Sequence, residues 1–241
     1  MKKLAIITTH PIQYNAPWFR LLAERKKIEI KVFYTWNKTK DGEKYDPGFG
    51  KNIGWDIPLL EGYDFTFVKN TSKNPGSKNY SGIKNPTLIN EIESWKPDAV
   101  LAFGWNFQSH LKCLRYFKNK IPVLFRGDST LLDEQKGVKK IVRRILLTWV
   151  YKHIDYALYV GTQNKNYFLK HKVRKDQLVF VPHAVDNKRF FQTAAKEEDK
   201  KVGISSSLKI KEDDLIFLYA GKLEPKKKVG ILIKTFKLLD N

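Results

Sequence analysis

A single cysteine, Cys113, stands in a chain of 241 residues, which excludes an internal disulfide framework and any cluster held by several thiolates. The five histidines include no His-x-x-x-His or His-Glu-x-x-His spacing, and no Asp-x-Asp pair occurs. The sequence therefore signals neither a zinc site nor carboxylate-held magnesium, and no metal is expected. No apolar run approaches the roughly 18 residues needed to span a bilayer. The opening MKKLAIITTHPIQY begins like a secretion signal, but its apolar core is only LAII before the polar TTH, too short for the hydrophobic region of a signal peptide. It reads instead as a first strand. An unpaired thiol without a leader suggests a cytoplasmic home. Internal repeats and low-complexity tracts are missing as well.

Acid is in short supply: 25 Asp and Glu face 45 Lys and Arg, a net charge of +20. Such a field favours anionic partners, namely nucleic acid, an anionic membrane surface or phosphorylated substrates. Basic residues are spread from Lys2 to Lys237 without forming one stripe, and no recognised nucleic-acid motif is present, which argues against nucleic acid. With 42% hydrophobic and 13% aromatic residues, the chain has the composition of a globular protein.

Over the first 185 residues short β-rich runs alternate with helical patterns, the signature of an α/β fold whose mostly parallel sheet carries crossover helices on both faces. The runs at Leu4 to Thr8, Glu29 to Tyr34, Phe65 to Val68, Ala99 to Phe103, Val123 to Phe125, Tyr156 to Val160 and Leu178 to Val181 read as strands. Ala16 to Lys26, Pro86 to Trp95, Phe107 to Phe117, Val138 to His153 and Gln163 to His171 read as helices. The order is Rossmann-like. Asn37 to Tyr63, rich in glycine, proline and aromatics, reads as a long functional loop. Residues 1–190 form the first domain in this reading, 191–214 a charged linker, and 215–241 one strand (Leu215 to Ala220) and one helix of a second domain that ends at Asn241.

In an open parallel sheet, ligands gather beyond the carboxyl ends of the strands. Four polar clusters fall there: His10, Gln13 and Tyr14 after the first strand; Trp105 and Asn106 after the fourth; Arg126, Asp128 and Ser129 after the fifth; Thr162 and Gln163 after the sixth. His10 suits either a backbone-bonding turn histidine or a site residue. Arg126 and Asp128 suit either a loop-closing ion pair or a grip on a sugar phosphate, with Asp128 orienting a hydroxyl or acting as base. A glycine-led turn at Gly221, bracketed by Lys222 and Lys227, leads into a helix start, a place that holds phosphate. In KGVKKIVRRILLTWVYKHI, Val138, Ile141, Val142, Ile145, Leu146 and Trp149 share one helical face, and Lys136, Lys139, Lys140, Arg143 and Arg144 cluster opposite. The ordinary role of such a stripe is to cover the sheet. A basic amphipathic helix also suits an anionic lipid surface.

GKLEPKKKVGILIKTF resembles the Gly-Arg/Lys-Leu, then Lys-Gly, signature that opens the donor domain of retaining glycosyltransferases of the family 4 type. Lys222 and Lys227 fall on the two cationic positions, and Lys228 replaces the usual Gly. VFVPHAVDNKRF is similar to the family's Val-Pro-Asn-Gly-Val-Asp-x-x-x-Phe connection through Pro182, Val185, Asp186 and Phe190. IPVLFRGDS and GTQNKNYFLKHKV occupy the places of two further family segments. Three departures stand out: Pro11, Ile12 and Gln13 in place of glycines in the first βα loop, Arg126-Gly127-Asp128 in place of a histidine turn, and no paired glutamates or glycine-rich stretch of the donor site.

The resemblance implies a two-domain GT-B fold, of which this chain holds the N-terminal domain and the start of a truncated second one. It implies a glycosyltransferase taking a nucleotide sugar as donor substrate, without metal or other cofactor, and a glycan or lipid-linked acceptor in surface polysaccharide synthesis. His10, Arg126 and Asp128 would be catalytic, Gln13, Tyr14, Trp105 and Asn106 would bind acceptor, and Gly221, Lys222 and Lys227 would hold the diphosphate. Trp55 or Trp105 would stack on a sugar ring. With so little of the donor half, the chain is not expected to turn over alone. The alternative is a noncatalytic acceptor-binding or membrane-docking half, with a second chain supplying the donor domain.

Overall fold

The computed structural model describes residues 1–37, 43–46, 51–55, 57–132, 134, 137–196, 207–211, 213–221, 223 and 227–238. It divides into two compact units, Met1–Asp41 with Trp55–Val185, and Gly42–Gly54 with Asp186–Asn241.

The first unit is built on strands β1 (Lys2–Thr8), β2 (Ile28–Tyr34), β5 (Asp64–Phe67), β6 (Ala99–Phe103), β7 (Val123–Arg126), β8 (Tyr156–Tyr159) and β9 (Leu178–Phe180). They form a seven-stranded sheet in the order β5-β2-β1-β6-β7-β8-β9, every pair parallel. The chain builds outward from β1 through β2 to β5, then returns to the other side of β1 as β6. A topological switch point therefore lies between β1 and β6, and a crevice opens beyond their carboxyl ends.

Alternation along the strands sends side chains to two cores. Ala5, Ile7, Val100 and Ala102 join one core with helices α2 (Leu88–Trp95), α3 (Gln108–Phe117), α4 (Val138–Tyr151) and α5 (Thr162–Lys170). Ile6, Val32 and Leu101 join the other, against Ala16 and Phe19 of helix α1 (Ala16–Glu24). Helices thus cover both faces, as the sequence pattern predicts. Several stop a residue or two earlier than that pattern suggests. Lys26, Lys96, Asn119 and Lys172, just past α1, α2, α3 and α5, adopt positive φ of 50–69°, a left-handed stop that ends the helical ladder.

Two expectations fail. Asn37 to Tyr63 is not all loop: β3 (Glu43–Asp46) and β4 (Lys51–Gly54) pair as an antiparallel hairpin, which its polar sequence and flanking prolines and glycines conceal. Leu215 to Ala220 is not a strand; no ladder forms there among the described residues, and a β-run is defined only by a neighbour to bond. In the second unit, α6 (Asn187–Lys196) runs across residue 191, and α7 (Val229–Lys237) forms where apolar periodicity predicts a helix.

Candidate functional site

The residues lining the switch point rest on a buried polar network. Thr35 follows β2, and its backbone N–H donates to Thr8 at the end of β1 (3.0 Å). Its hydroxyl lies 2.9 Å from Nε2 of His110 on α3. The other ring nitrogen, Nδ1, lies 3.1 and 3.2 Å from the carbonyls of Phe103 and Gly104 at the exit of β6. Carbonyls cannot donate, so Nδ1 carries the proton, and Nε2 shares the Thr35 hydroxyl proton with Thr8 O, which lies 3.2 Å from Oγ1. Burial pushes the His110 pKa down to about 4, against a smaller upward pull from the Gly104 and Phe103 carbonyls. Asn85 extends the network, donating through Nδ2 to Thr35 O and Val68 O (3.0 and 2.9 Å). Its N–H donates to Ser109 Oγ at 2.6 Å. One helix and the ends of β1, β2 and β6 are thus locked together beneath the crevice. Sequence reading missed this set, because the bonds that join its elements link partners 17 to 75 residues apart.

On the β1 side, His10 bonds Thr9 Oγ1 at 2.9 Å and meets Trp36 edge-on, ring centres 5.6 Å apart. Trp36 is buried with Ile83 and Phe107. Gln13 is half-buried, and Tyr14 is exposed in the turn before α1.

On the β6 side, Trp105 and Asn106 line a cavity of about 560 Å³ together with Lys78, Asn79, Tyr80, Leu111, Leu146 and Trp149. Gly104, which precedes them, has φ +74°, and an added Cβ would come within 3.3 Å of Asn106 Oδ1. The left-handed turn leaves Asn106 exposed and Trp105 half-buried against the core of α2 to α5. Tyr80 is presented by a loop that Asn70 staples: its Oδ1 accepts from Ser72 and Lys84 N–H, and its Nδ2 donates to Gly82 O. A Cβ on Gly82 would meet Gly76 O at 2.1 Å, so the staple requires glycine there. Aromatic faces, carboxamides and an ammonium thus come together at one opening. Among the described residues the lining contains no carboxylate and no histidine.

Arg126, at the end of β7, donates from Nη1 to Val181 O (2.8 Å) and from Nη2 to Pro182 O (3.2 Å). Burial lowers its pKa, and Asp128 pulls it back up. Its two terminal nitrogens thus tie β7 to the segment leaving β9, a structural employment beside the sugar-phosphate grip that the sequence suggests. Its carbonyl accepts from Gly104 N–H at 3.1 Å, which links the Arg126 and Trp105 turns. Asp128 and Ser129 are exposed, and the loop is anchored where buried Asn164 donates to Ser129 O at 2.8 Å. Thr162 and Gln163 are exposed on the first turn of α5, and Trp55 is 38% exposed. In the second unit Gly221 and Lys227 are exposed, and Lys222 lies outside the described residues. Lys228, where the resembling motif has glycine, sits at φ +51°, a left-handed position that favours glycine.

The amphipathic helix is oriented against its ordinary role. Val138, Ile141, Val142 and Ile145 are 61–75% exposed, and Leu146 and Trp149 are 43% and 38% exposed. The buried residues of α4 are Leu147, Val150 and Tyr151. Inward-turned Lys140 and Arg144 instead meet Glu134, which accepts from both. Glu134 compensates these two cations beside the buried face, Lys139 and Arg143 stay exposed, and the apolar stripe is left outside. Among the described residues no helix is long and apolar enough to cross a membrane, and no group of three or more His, Cys, Asp or Glu is placed to hold a metal ion.

No family model matches the chain, and no curated protein matches it in sequence. Solved structures do match. UDP-GlcNAc 2-epimerase from Neisseria meningitidis, bound to UDP-GlcNAc, aligns over 88% of this chain and 54% of its own, with 18% identity and a TM-score of 0.54. UDP-GlcNAc 2-epimerase from Methanocaldococcus jannaschii aligns over 75% and 45%, with 19% identity and a TM-score of 0.46. HepE from Anabaena, in complex with UDP and glucose, aligns over 77% and 45%, with 12% identity and a TM-score of 0.46. The chain spans about half the length of these structures. The parallel sheet with helices on both faces is an α/β, Rossmann-like fold of the GT-B type. At such identities the likeness carries fold alone.

Proposed function

We propose that this chain is the acceptor side of a nucleotide-sugar enzyme, a retaining glycosyltransferase that moves a sugar from a nucleotide donor to a glycan or lipid-linked acceptor in surface polysaccharide synthesis. The observation that carries the reading is the cavity at the exit of β6, beside the switch point, lined by Trp105, Asn106, Tyr80 and Trp149. Flat aromatic faces suit the C–H faces of a sugar ring, and carboxamides supply both donors and acceptors to its hydroxyls. The UDP-GlcNAc bound by the Neisseria neighbour and the Gly221–Lys222–Lys227 motif support a nucleotide-sugar donor. Lys222 and Lys227 would neutralise the departing diphosphate without a metal. His10 and Asp128 would flank the acceptor hydroxyl, with Gln13 and Tyr14 at the rim. Domains at 1–190 and from 215 onward, joined by 191–214, would divide the acceptor and donor roles, at the cytoplasmic face of a membrane.

A cavity whose described lining is aromatic, aliphatic and carboxamide with one lysine favours a second reading, in which this chain only binds acceptor and a partner chain supplies the donor domain. Calorimetric titration with UDP, GDP and their sugars separates the two. Saturable binding of one nucleotide, lost in Lys222→Ala, is the expected result for the first. A folded chain that ignores every nucleotide yet binds oligosaccharide, with that binding lost in Trp105→Ala, establishes the second.

A further inference from the structure

The exposed ridge of α4 serves no purpose inside the fold. On a helical wheel Val138, Ile141, Val142, Ile145, Leu146 and Trp149 span an arc on the order of 140°, diametrically opposite buried Leu147. Fourteen residues make a rod about 21 Å long, with bulky aliphatic side chains along its outer edge. An isolated exposed leucine is ordinary; six large apolar side chains in one continuous stripe mark an interaction surface.

The surroundings say which kind. Neither α3 nor α4 contains an acidic residue; together they carry Lys112, Arg115, Lys139, Lys140, Arg143 and Arg144. Arg115 lies over the Trp149 ring, 5.5 Å from its centre. Lys112, Arg115, Lys139 and Arg143 are exposed. A convex apolar ridge flanked by cations, with a tryptophan at one end, matches the interface of an anionic bilayer: aliphatic groups enter the acyl boundary and ammonium and guanidinium groups stay among the headgroup phosphates. Leu146 and Trp149 belong both to this ridge and to the lining of the cavity.

We infer that α4 is the docking face for an anionic lipid surface and that the cavity beside it opens onto that surface, so that its ligand is presented from the membrane. The inference gives the acceptor half of the proposed function a lipid-linked substrate class, and it rests on that reading for the cavity's role alone. Docking requires no donor, so it is measured without nucleotide.

The test is flotation of the full chain with vesicles of equimolar phosphatidylglycerol and phosphatidylcholine, against phosphatidylcholine alone. The expected result is partition to the anionic vesicles only, weakened by salt. Ile141→Ser with Ile145→Ser lowers the partition coefficient at least about tenfold. Lys139→Glu with Arg143→Glu lowers it by more than about 25-fold, at about fivefold per neutralised cation. All four positions are solvent-facing, and an unchanged melting temperature confirms that the fold is intact. No partition to anionic vesicles overturns the inference. Partition that the Ile141 and Ile145 substitutions leave unaltered overturns it too. Self-association that those substitutions dissolve, without vesicle binding, would make the ridge an interface between copies instead. A nucleotide titration that fails while flotation succeeds removes the donor reading and leaves docking standing.

Discussion

Thr35 Oγ1 lies 2.9 Å from Nε2 of His110, and through that one ring the residue following β2 is tied to the end of β6, while its own N–H ties it to Thr8 at the end of β1. Protonation would place a charge where no water reaches, which is why burial holds the His110 pKa near 4, below the ordinary 6.5.

The consequence is a pH-dependent stability of defined sign. Between pH 6.5 and about 4 the unfolded chain binds a proton at this histidine and the folded chain does not, so stability rises with pH across that window. The contribution is complete above 6.5 and is lost as pH falls through the window, on the order of 3 kcal/mol in all. His153 and His171, whose pKa values burial also lowers, act with the same sign. Urea unfolding of the wild type and His110→Gln on either side of the window isolates the one ring. The variant is expected to show a markedly shallower fall; an equal fall would mean that His110 is not the source.

Tyr34 and Tyr63 give an asymmetric pair of variants. Their hydroxyls are 2.6 Å apart in the α1-side core, and the Tyr63 hydroxyl also bonds Leu59 O. Tyr63 has one proton and gives it to the carbonyl, so Tyr34 donates to Tyr63. Tyr34→Phe removes a donor and leaves Tyr63 still bonded, at a cost of about 1 kcal/mol. Tyr63→Phe strands the Tyr34 hydroxyl, which is 1% exposed, and is expected to cost about 1–3 kcal/mol. Chemical denaturation ranks the two, and the reverse order would contradict this proton assignment.

Lysine holds a position that glycine fills more easily at the end of α2. Lys96 is exposed and has φ 53° and ψ 61°, where an L side chain costs roughly 1–2 kcal/mol. Lys96→Gly is expected to raise stability by about 1 kcal/mol, the relief being partly offset by the freer unfolded chain. A melting temperature that falls instead would show that the lysine side chain makes a compensating interaction.

The sheet was legible because each strand carries a β-branched or aromatic run, such as Leu4 to Thr8 or Ala99 to Phe103, and the helices between carry periodic apolar faces. The switch point followed from that order, and with it the turns after β1, β6 and β7. What stayed hidden depends on tertiary partners. The faces of α4 were readable, but the inward turn of Lys140 and Arg144 depends on Glu134. Trp105 and Asn106 were visible as a turn, whereas Lys78, Asn79 and Tyr80 reach the same cavity through a loop that Asn70 folds back. A Pro- and Gly-rich stretch carrying an aromatic residue, NPGSKNYSG, was the available signal.

Arg126 decides how much of the β7 turn is architecture. Nη1 and Nη2 donate to Val181 O and Pro182 O, and removing the guanidinium leaves those two carbonyls without its N–H donors. Arg126→Ala is therefore expected to destabilise the first unit by about 1–3 kcal/mol. Arg126→Lys recovers part of that, since a single ammonium cannot reproduce the planar fork. Thermal melting reads this without ligand. A variant that melts like the wild type but loses nucleotide-sugar binding would place the guanidinium on the substrate. One that melts early, while Asp128→Asn melts normally and loses that binding, would leave the ligand with the carboxylate and the scaffold with the arginine.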